Sequence, residues 1–482
     1  MLGIAHVLGV LLAIFGLAYL LPIGCSVIMG DGLWFDFFIA GAVSSGFGLL
    51  IALATLRFRR ELKPRDGFLL VTLVWVLMSA SATVPLLLAL RNLSFTDAFF
   101  ETMSGLTTTG STVLTGLDHL PPSLNFWRHS LHWFGGLGII VMALAVLPLL
   151  GVGGMQLYKA EAPGPIKDEK LAPRITETAK SLWIVYAILT AVAIFSLRLC
   201  GMSWFDAICH AFSVVALGGF STHDASIAYF NSPAIELVLI VLMFVSSLNF
   251  ARHFVALRRL SLQPYKSDPE SKASLVLLAV SVLVIAGLLT WQGVYPGFLT
   301  SLRHSAFNVV SMATTTGFVT QDYSTWPVFA PIWMLFLSCI VCSTGSTGGG
   351  IKMFRTLLLA RQAGRELKLL VHPSAMASVR IGGRVIPDRV ADAVLGFIFL
   401  YFMTVALLTF TLLMSGLDFD SSFSAIVAAI NNTAHGLGTV GPVRNYHSLT
   451  QFQTWVCTIA MLLGRLEIFS VIVLFTPTFW RK

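Results

Sequence analysis

Ten apolar runs, each close to the length that crosses a bilayer, recur along the 482-residue chain and limit its fold more than any other feature. They fall near 2–22, 34–56, 68–90, 130–150, 181–200, 234–256, 273–291, 331–357 (interrupted), 390–415 and 452–476. A hydrocarbon core of about 30 Å takes roughly 20 helical residues. Every run is therefore expected to span. With 56% hydrophobic and 11% charged residues, the composition lies outside that of soluble globular proteins. The first run has no basic residue ahead of it and no small-residue cleavage site after "LLPIGCSVI", so it reads as a span and not as a cleaved leader.

A net charge of +8 invites a nucleic-acid reading until the basic residues are placed. Five Lys/Arg lie in 57–65, five in 159–180, five in 252–272, eight in 352–389, and Arg481 and Lys482 close the chain. These 25 of 31 sit in alternate loops or at the C-terminus; the others are Arg91, Arg128, Arg198, Arg303, Arg444 and Arg465. The positive-inside rule makes that side the cytoplasm, with both termini on it. Basic charge here reports topology, and no nucleic-acid partner is expected. The six cysteines are scattered through apolar stretches without metal-site spacing and read as packing residues.

The outward segments repeat. "FTDAFFETMSGLTTTGST", "WFDAICHAFSVVALGGFST", "LRHSAFNVVSMATTTGFVT" and "FDSSFSAIVAAINNTAHGLGTV" are each a short amphipathic run ending in a polar, glycine-containing stretch. Phe95 to Gly110, Trp204 to Gly219 and Leu302 to Gly317 are each fifteen positions. The fourth copy is expected to need a small insertion that puts Gly436 or its neighbourhood at the equivalent place. Such self-similarity means repeated architecture. The expected fold is an all-α polytopic membrane protein: an N-terminal two-span hairpin (1–62) and four span, pore-helix, span repeats (63–158, 159–262, 263–370, 371–482) in pseudo-fourfold arrangement around an ion pore.

Non-helical backbone survives at membrane depth only where protein or water satisfies it, so the four polar stretches should meet on one axis. Each short helix would point its C-terminal, negative dipole end at the midplane, favouring a cation. Glycine-bent carbonyls and Thr hydroxyls then supply oxygen ligands. The expected filter is Thr108, Thr109 and Gly110; Leu217, Gly218 and Gly219; Thr315, Thr316 and Gly317; and Ala434, His435 and Gly436. Oxygens without full charge suit a weakly hydrated monovalent ion, whereas divalent ions usually take carboxylates. Potassium leads, with sodium the alternative. The bland reading, small residues packing helices, weakens when four copies share one place.

The eighth run breaks. After "PIWMLFLS" comes "CIVCSTGSTGGGIKMFR" (339–355), with Gly345, Gly348, Gly349 and Gly350 in six residues. Each helical glycine costs about 1 kcal/mol against alanine, so the segment is not expected to stay helical. Lying beneath the third filter stretch, Gly345, Ser346, Thr347, Gly348, Gly349 and Gly350 are the expected gate. A phosphate-loop reading fails because Ile351 separates Gly350 from Lys352 and Met353 stands where Ser/Thr should follow. Likewise "GVGG" at 151–154 reads as a helix end. Arg465, inside the last span, needs an interior partner. Glu467 is too close along a helix to face the same side, so carbonyls of the 345–350 loop are the expected partners.

Five stretches resemble the TrkH/KtrB/HKT potassium transporter superfamily: "HWFGGLGIIVMALAVLP" (132–148), "CSTGSTGGGIKMFR" (342–355), "LVHPSA" with "GGRVIPDRV" (370–390), "NNTAHGLG" (431–438) and "GRLEIF" (464–469). The resemblance covers essentially the full chain. It implies a bacterial inner-membrane K⁺ uptake protein, one filter glycine per repeat, and an arginine that helps close the pathway. A homodimer and a cytoplasmic ring of TrkA-type nucleotide-binding subunits are implied with it, so the regulatory nucleotide belongs to the partner, no cofactor is expected on this chain, and 352–389 is the implied docking face. Ala434 and His435 stand where the family has Gly and Pro, and protonation of His435 is expected to lower cation occupancy. Asp97, Glu101 and Asp206 fit helix-dipole partners, and His6, His132, His210 and His253 lack metal-ligand spacing. No nucleophile with a base is visible, so no enzyme activity is expected. The competing function is an H⁺- or Na⁺-coupled symporter, for which only Glu467 offers a buried carboxylate.

Overall fold

The computed structural model describes residues 2–58, 63–146 and 175–481. The expected boundary at 158/159, the "GVGG" stretch and the basic residues 159–174 lie outside the described residues. Among the described residues, six helices are long and apolar enough to cross a membrane: Leu2–Met29, Trp34–Ala54, Arg65–Ala89, Ala179–Leu199, Pro269–Trp291 and Asp388–Met414. Two bent pairs add Pro233–Ser246 with Phe250–Arg259, at 101°, and Gln451–Arg465 with Ile468–Phe475, at 110°. The two other expected crossings are the helix Pro122–Val146, whose first half carries Arg128, His129 and His132, and the short helix Phe329–Ile340.

Between crossings lie four short helices, Phe95–Leu106, Trp204–Ala216, Phe298–Ala313 and Phe419–Asn431, of 12 to 16 residues. At 1.5 Å per residue they reach about 18–24 Å, short of a full crossing. Three begin at polar caps: Ser94 accepts from Asp97 N (3.1 Å), Ser203 from Asp206 N (3.0 Å) and Asp418 from Ser421 N (2.9 Å). Such caps satisfy amides that the first helical turn leaves open.

Polar side chains are buried among an apolar core, and the outer face of the long helices is apolar. Ser104, Thr107, Asn308, Ser311 and Asn431 are fully buried, whereas Leu50, Leu283, Phe399 and Leu407 stay exposed along the long helices. The N-terminal hairpin packs through small residues: a Cβ on Gly48 would lie 2.4 Å from Ala13 N, so only glycine lets the two backbones approach so closely.

Three of the second crossings break at one level, where the sequence pattern predicts a single interruption. After Ser246 the chain turns at Asn249, whose side chain caps the next helix by accepting from Ala251 N (2.9 Å). Its amide also donates to Thr344 O (2.6 Å), and Ser343 N bonds Ser247 O (2.9 Å). The run 234–256 is thus two helices, held apart by the glycine-rich segment. The run 452–476 likewise stops at Arg465, with Glu467 at φ 54°.

Candidate ion filter and gate

All four re-entrant helices end with the same closure. Thr109 N, Gly218 N, Thr316 N and Thr433 N each bond back five residues, to Ser104 O (2.9 Å), Ser213 O (2.8 Å), Ser311 O (2.9 Å) and Ala428 O (2.8 Å). This bond needs a left-handed residue just before it. Thr108 (φ 52°), Leu217 (56°), Thr315 (60°) and Asn432 (53°) provide it. Asparagine tolerates that region, but for the others it costs on the order of 1–2 kcal/mol. Strained backbone of this kind clusters at functional sites.

Two residues further on, Gly110 (φ 83°), Gly219 (80°) and Gly317 (83°) are left-handed again. Their neighbours explain why glycine is required. A Cβ on Gly110 would lie 1.8 Å from Gly218 O, and one on Gly219 2.1 Å from Thr316 O. Adjacent repeats therefore meet backbone to backbone.

The same closure places Ala434, not Gly436, at the fourth corner, correcting the sequence expectation. Phe419 to Ala434 is also a fifteen-residue step, so no insertion is needed. A Cβ on Gly317 would lie 2.5 Å from Ala434 Cβ, and one on Gly110 3.2 Å from it. Gly436 faces Ser424 and Val440 instead, away from the ring. His435 is half-buried and reaches the main chain of Gly317.

Among the described residues, no hydrogen bond reaches the main-chain oxygens of Thr108, Thr109, Gly110, Leu217, Gly218, Gly219, Thr315 or Thr316. Buried carbonyls are normally paired, so an open set of them is free to serve as oxygen ligands to a cation. The Thr hydroxyls contribute less than the sequence suggests. Thr107 and Thr109 bond each other (2.8 Å), as do Thr314 and Thr316 (2.9 Å), and Thr109 Oγ1 also accepts from Asn432 Nδ2 (3.0 Å).

A polar residue nine positions before each ring glycine clamps the outgoing strand. Glu101 accepts from Val113 N (3.1 Å) and Thr112 Oγ1 (3.0 Å), His210 Nε2 pairs with Ser221 Oγ (3.0 Å), and Asn308 donates to Thr320 Oγ1 (3.0 Å). The fourth repeat has Ala425 there, and Ser424 Oγ accepts from Leu437 N (2.7 Å) instead. Reading the three aligned copies at that offset would have found these residues. Glu101 is not a helix-dipole partner as expected: Arg128 Nε donates to it at 2.7 Å, with both side chains buried. Asp97 and Asp206 do sit in first turns.

Beneath the ring, residues 341–352 run without helix. Thr347 Oγ1 donates to Val215 O (3.0 Å) and Gly349 N to Thr315 Oγ1 (3.1 Å), while a Cβ on Gly349 would lie 2.0 Å from Asn431 O. The segment thereby touches the ends of the second, third and fourth re-entrant helices. Gly345 (φ 76°) and Gly350 (φ 79°) make its turns, and Ser346 Oγ ties it internally to Ser343 O (2.7 Å). A Cβ on Gly348 would meet Cys342 Sγ.

Arg465 donates from Nη1 to Thr347 O (2.8 Å) and from Nη2 to Gly135 O (3.0 Å), so its partners are carbonyls, one of them in the loop. Glu467 accepts from Arg355 (2.8 Å). Lys352, which the sequence reading counts only as a topology signal, donates to Gly348 O at 2.6 Å. Among the described residues no group of His, Cys, Asp and Glu is placed to hold a metal.

At the outer mouth, Asp206 accepts from Thr222 Oγ1 (2.7 Å) and Asp118 accepts from His223 (2.5 Å). Burial acts to raise the Asp118 carboxyl, but bonds from His223 and Asp224 N outweigh it and hold it below the usual carboxylate range.

Four re-entrant helices whose ends meet in a carbonyl ring define a polytopic membrane protein built as a pseudo-fourfold pore. Residues 35–482 match the TrkH family, described as "Cation transport protein". The chain is 46% identical over 482 residues to "Trk system potassium uptake protein TrkH" of Halomonas elongata, covering 99% of each. It is 43% identical over 481 residues to the protein of that name in Escherichia coli K12, covering 100% of this chain and 99% of the other. It also superposes on the crystal structure of the potassium transporter TrkH from Vibrio parahaemolyticus with a TM-score of 0.92 and 42% identity, covering 100% of this chain and 99% of that one. The chain belongs to the TrkH family, within the TrkH/KtrB/HKT superfamily.

Proposed function

We propose that this chain carries potassium into the cell across the bacterial inner membrane, through a filter of Thr108–Gly110, Leu217–Gly219, Thr315–Gly317 and the Ala434 corner, gated by Gly345–Gly350 with Arg465. The observation that carries this reading is the set of main-chain oxygens without hydrogen-bond partners at the ends of three of the four re-entrant helices. Uncharged oxygens replace the shell of a weakly hydrated monovalent ion, and the negative helix ends favour its charge. The names of the relatives, potassium uptake proteins, support the same ion.

The rest of the reading is topology and assembly. Both termini and the segments 57–65, 159–180, 252–272 and 352–389 face the cytoplasm, and the repeats divide at 62/63, 158/159, 262/263 and 370/371. No cofactor is held on this chain. The protein is a homodimer served by a TrkA-type subunit that holds the regulatory nucleotide and docks on 352–389. The family resemblance supports the assembly, and the distribution of basic residues supports the topology.

The test is flux and reversal potential in liposomes holding the purified protein, under opposing K⁺ and Na⁺ gradients with and without a pH gradient. Passive flux reversing near the K⁺ equilibrium potential is expected. Uphill K⁺ movement driven by H⁺ or Na⁺ would refute the passive pore in favour of a symporter. Glu467, the one carboxylate that favoured coupling, is tied to Arg355.

A further inference from the structure

The ring is not fourfold in its chemistry. At three corners the ring residue is a left-handed glycine, and its repeat offers main-chain oxygens without hydrogen-bond partners. Ala434 differs in three ways. It carries a methyl, it does not adopt a positive φ, and its carbonyl accepts from Ser111 Oγ at 2.7 Å. Ser111 directly follows Gly110, and the residues at that place in the second and third repeats are Phe220 and Phe318. A hydroxyl can therefore reach across the ring only from the first repeat, and there it meets the fourth. Ser111 and Ala434 are both buried, so water does not compete for the bond.

A carbonyl oxygen that accepts a hydroxyl proton presents less charge to an ion. Discrimination between monovalent cations depends on how many carbonyl dipoles replace the hydration shell and how strongly they act. We propose that Ser111 is a specificity-determining residue: by holding the Ala434 carbonyl, while His435 reaches the main chain of Gly317, it leaves only the Gly110 and Gly219 corners fully available at this level, and the pathway separates K⁺ from Na⁺ less than a ring of four free carbonyls does. This rests on the reading that the ring conducts potassium.

The bi-ionic reversal potential of the full-length protein in liposomes, K⁺ against Na⁺, measures the permeability ratio. Ser111→Ala frees the oxygen, and the K⁺/Na⁺ ratio is expected to rise about fivefold, the factor equivalent to a net hydrogen bond of about 1 kcal/mol. Ala434→Gly removes the methyl and keeps both the carbonyl and the Ser111 hydroxyl, so it is the control, and its ratio is expected to stay within twofold of wild type. Ratios within twofold of wild type in both variants, with K⁺ flux retained, would overturn the proposal. A rise in Ala434→Gly alone would overturn the part given to Ser111. Should Ser111→Ala fail to elute as folded protein, Ser111→Gly, which also lacks the hydroxyl, decides in its place by the same ratio. A wild type that passes neither ion refutes the transport reading itself, whereas K⁺ flux with unchanged ratios refutes only the role of Ser111.

Discussion

Replacing Arg465 with alanine removes two charge-assisted hydrogen bonds, to Thr347 O at 2.8 Å and to Gly135 O at 3.0 Å. Only the first touches the loop. A bond from a charged donor contributes roughly 1.5–3 kcal/mol, and each 1.4 kcal/mol is about tenfold in an equilibrium. The closed loop proposed above should thus lose a factor of about 10–150 relative to an open one. Other ties remain, among them Lys352 Nζ to Gly348 O (2.6 Å), Asn249 Nδ2 to Thr344 O (2.6 Å), Thr347 Oγ1 to Val215 O (3.0 Å) and Gly349 N to Thr315 Oγ1 (3.1 Å). The loop stays attached, so the expected outcome is a larger open fraction and not a vacant pore. The assay is the initial rate of K⁺ uptake into liposomes for wild type, Arg465→Ala and Arg465→Lys. Lysine has no planar fork to span both carbonyls, so its rate should fall between the other two. Lys352→Met should raise flux by the same logic. Unchanged or lower flux in Arg465→Ala, with the protein eluting as folded, would refute the gating argument.

Other outcomes follow from the same geometry. Glu101→Ala strands the Arg128 charge in a fully buried site, which costs about 3–5 kcal/mol; the thermal midpoint in detergent should fall, less so for Glu101→Gln, and an unchanged midpoint would refute a structural role for the pair. Gly349→Ala puts a Cβ 2.0 Å from Asn431 O and should displace the loop at about 1–3 kcal/mol, raising flux and lowering stability. Gly364→Ala, where a Cβ meets nothing within 4 Å, is the control that should not raise flux. If His435 gates occupancy by its charge, K⁺ flux between about pH 5 and pH 8 should differ in profile between wild type and His435→Pro, and identical profiles would sink that idea.

Local chemistry in the chain was enough for the membrane class, the repeat, the break at 345–350 and the need of Arg465 for a main-chain partner. Apolar run length, a fifteen-residue period, glycine density and the cost of a charge in lipid are all read one segment at a time. The fourth corner was not legible, because a glycine at 436 is a stronger sequence signal than an alanine at 434. What decides the corner is where the helix closes, and the left-handed turn at Asn432 with the bond from Thr433 N to Ala428 O closes it two residues before Ala434. The breaks at Ser247 and Leu466 were also hidden, since no cluster of glycines marks them and each is held by partners elsewhere in the chain.

The pairs that build the site join distant segments: Ser111 with Ala434, Glu101 with Arg128, and Arg465 with Thr347 and Gly135. By itself, then, the sequence determined that this chain is a four-repeat pore in lipid with a break in its eighth apolar run. The tertiary structure alone decided which main-chain oxygens stay without hydrogen-bond partners and which cations tie the broken segment down. The reason is physical: a period or a propensity records what a segment does on its own, whereas a hydrogen bond across the ring exists only once four repeats have brought their helix ends together.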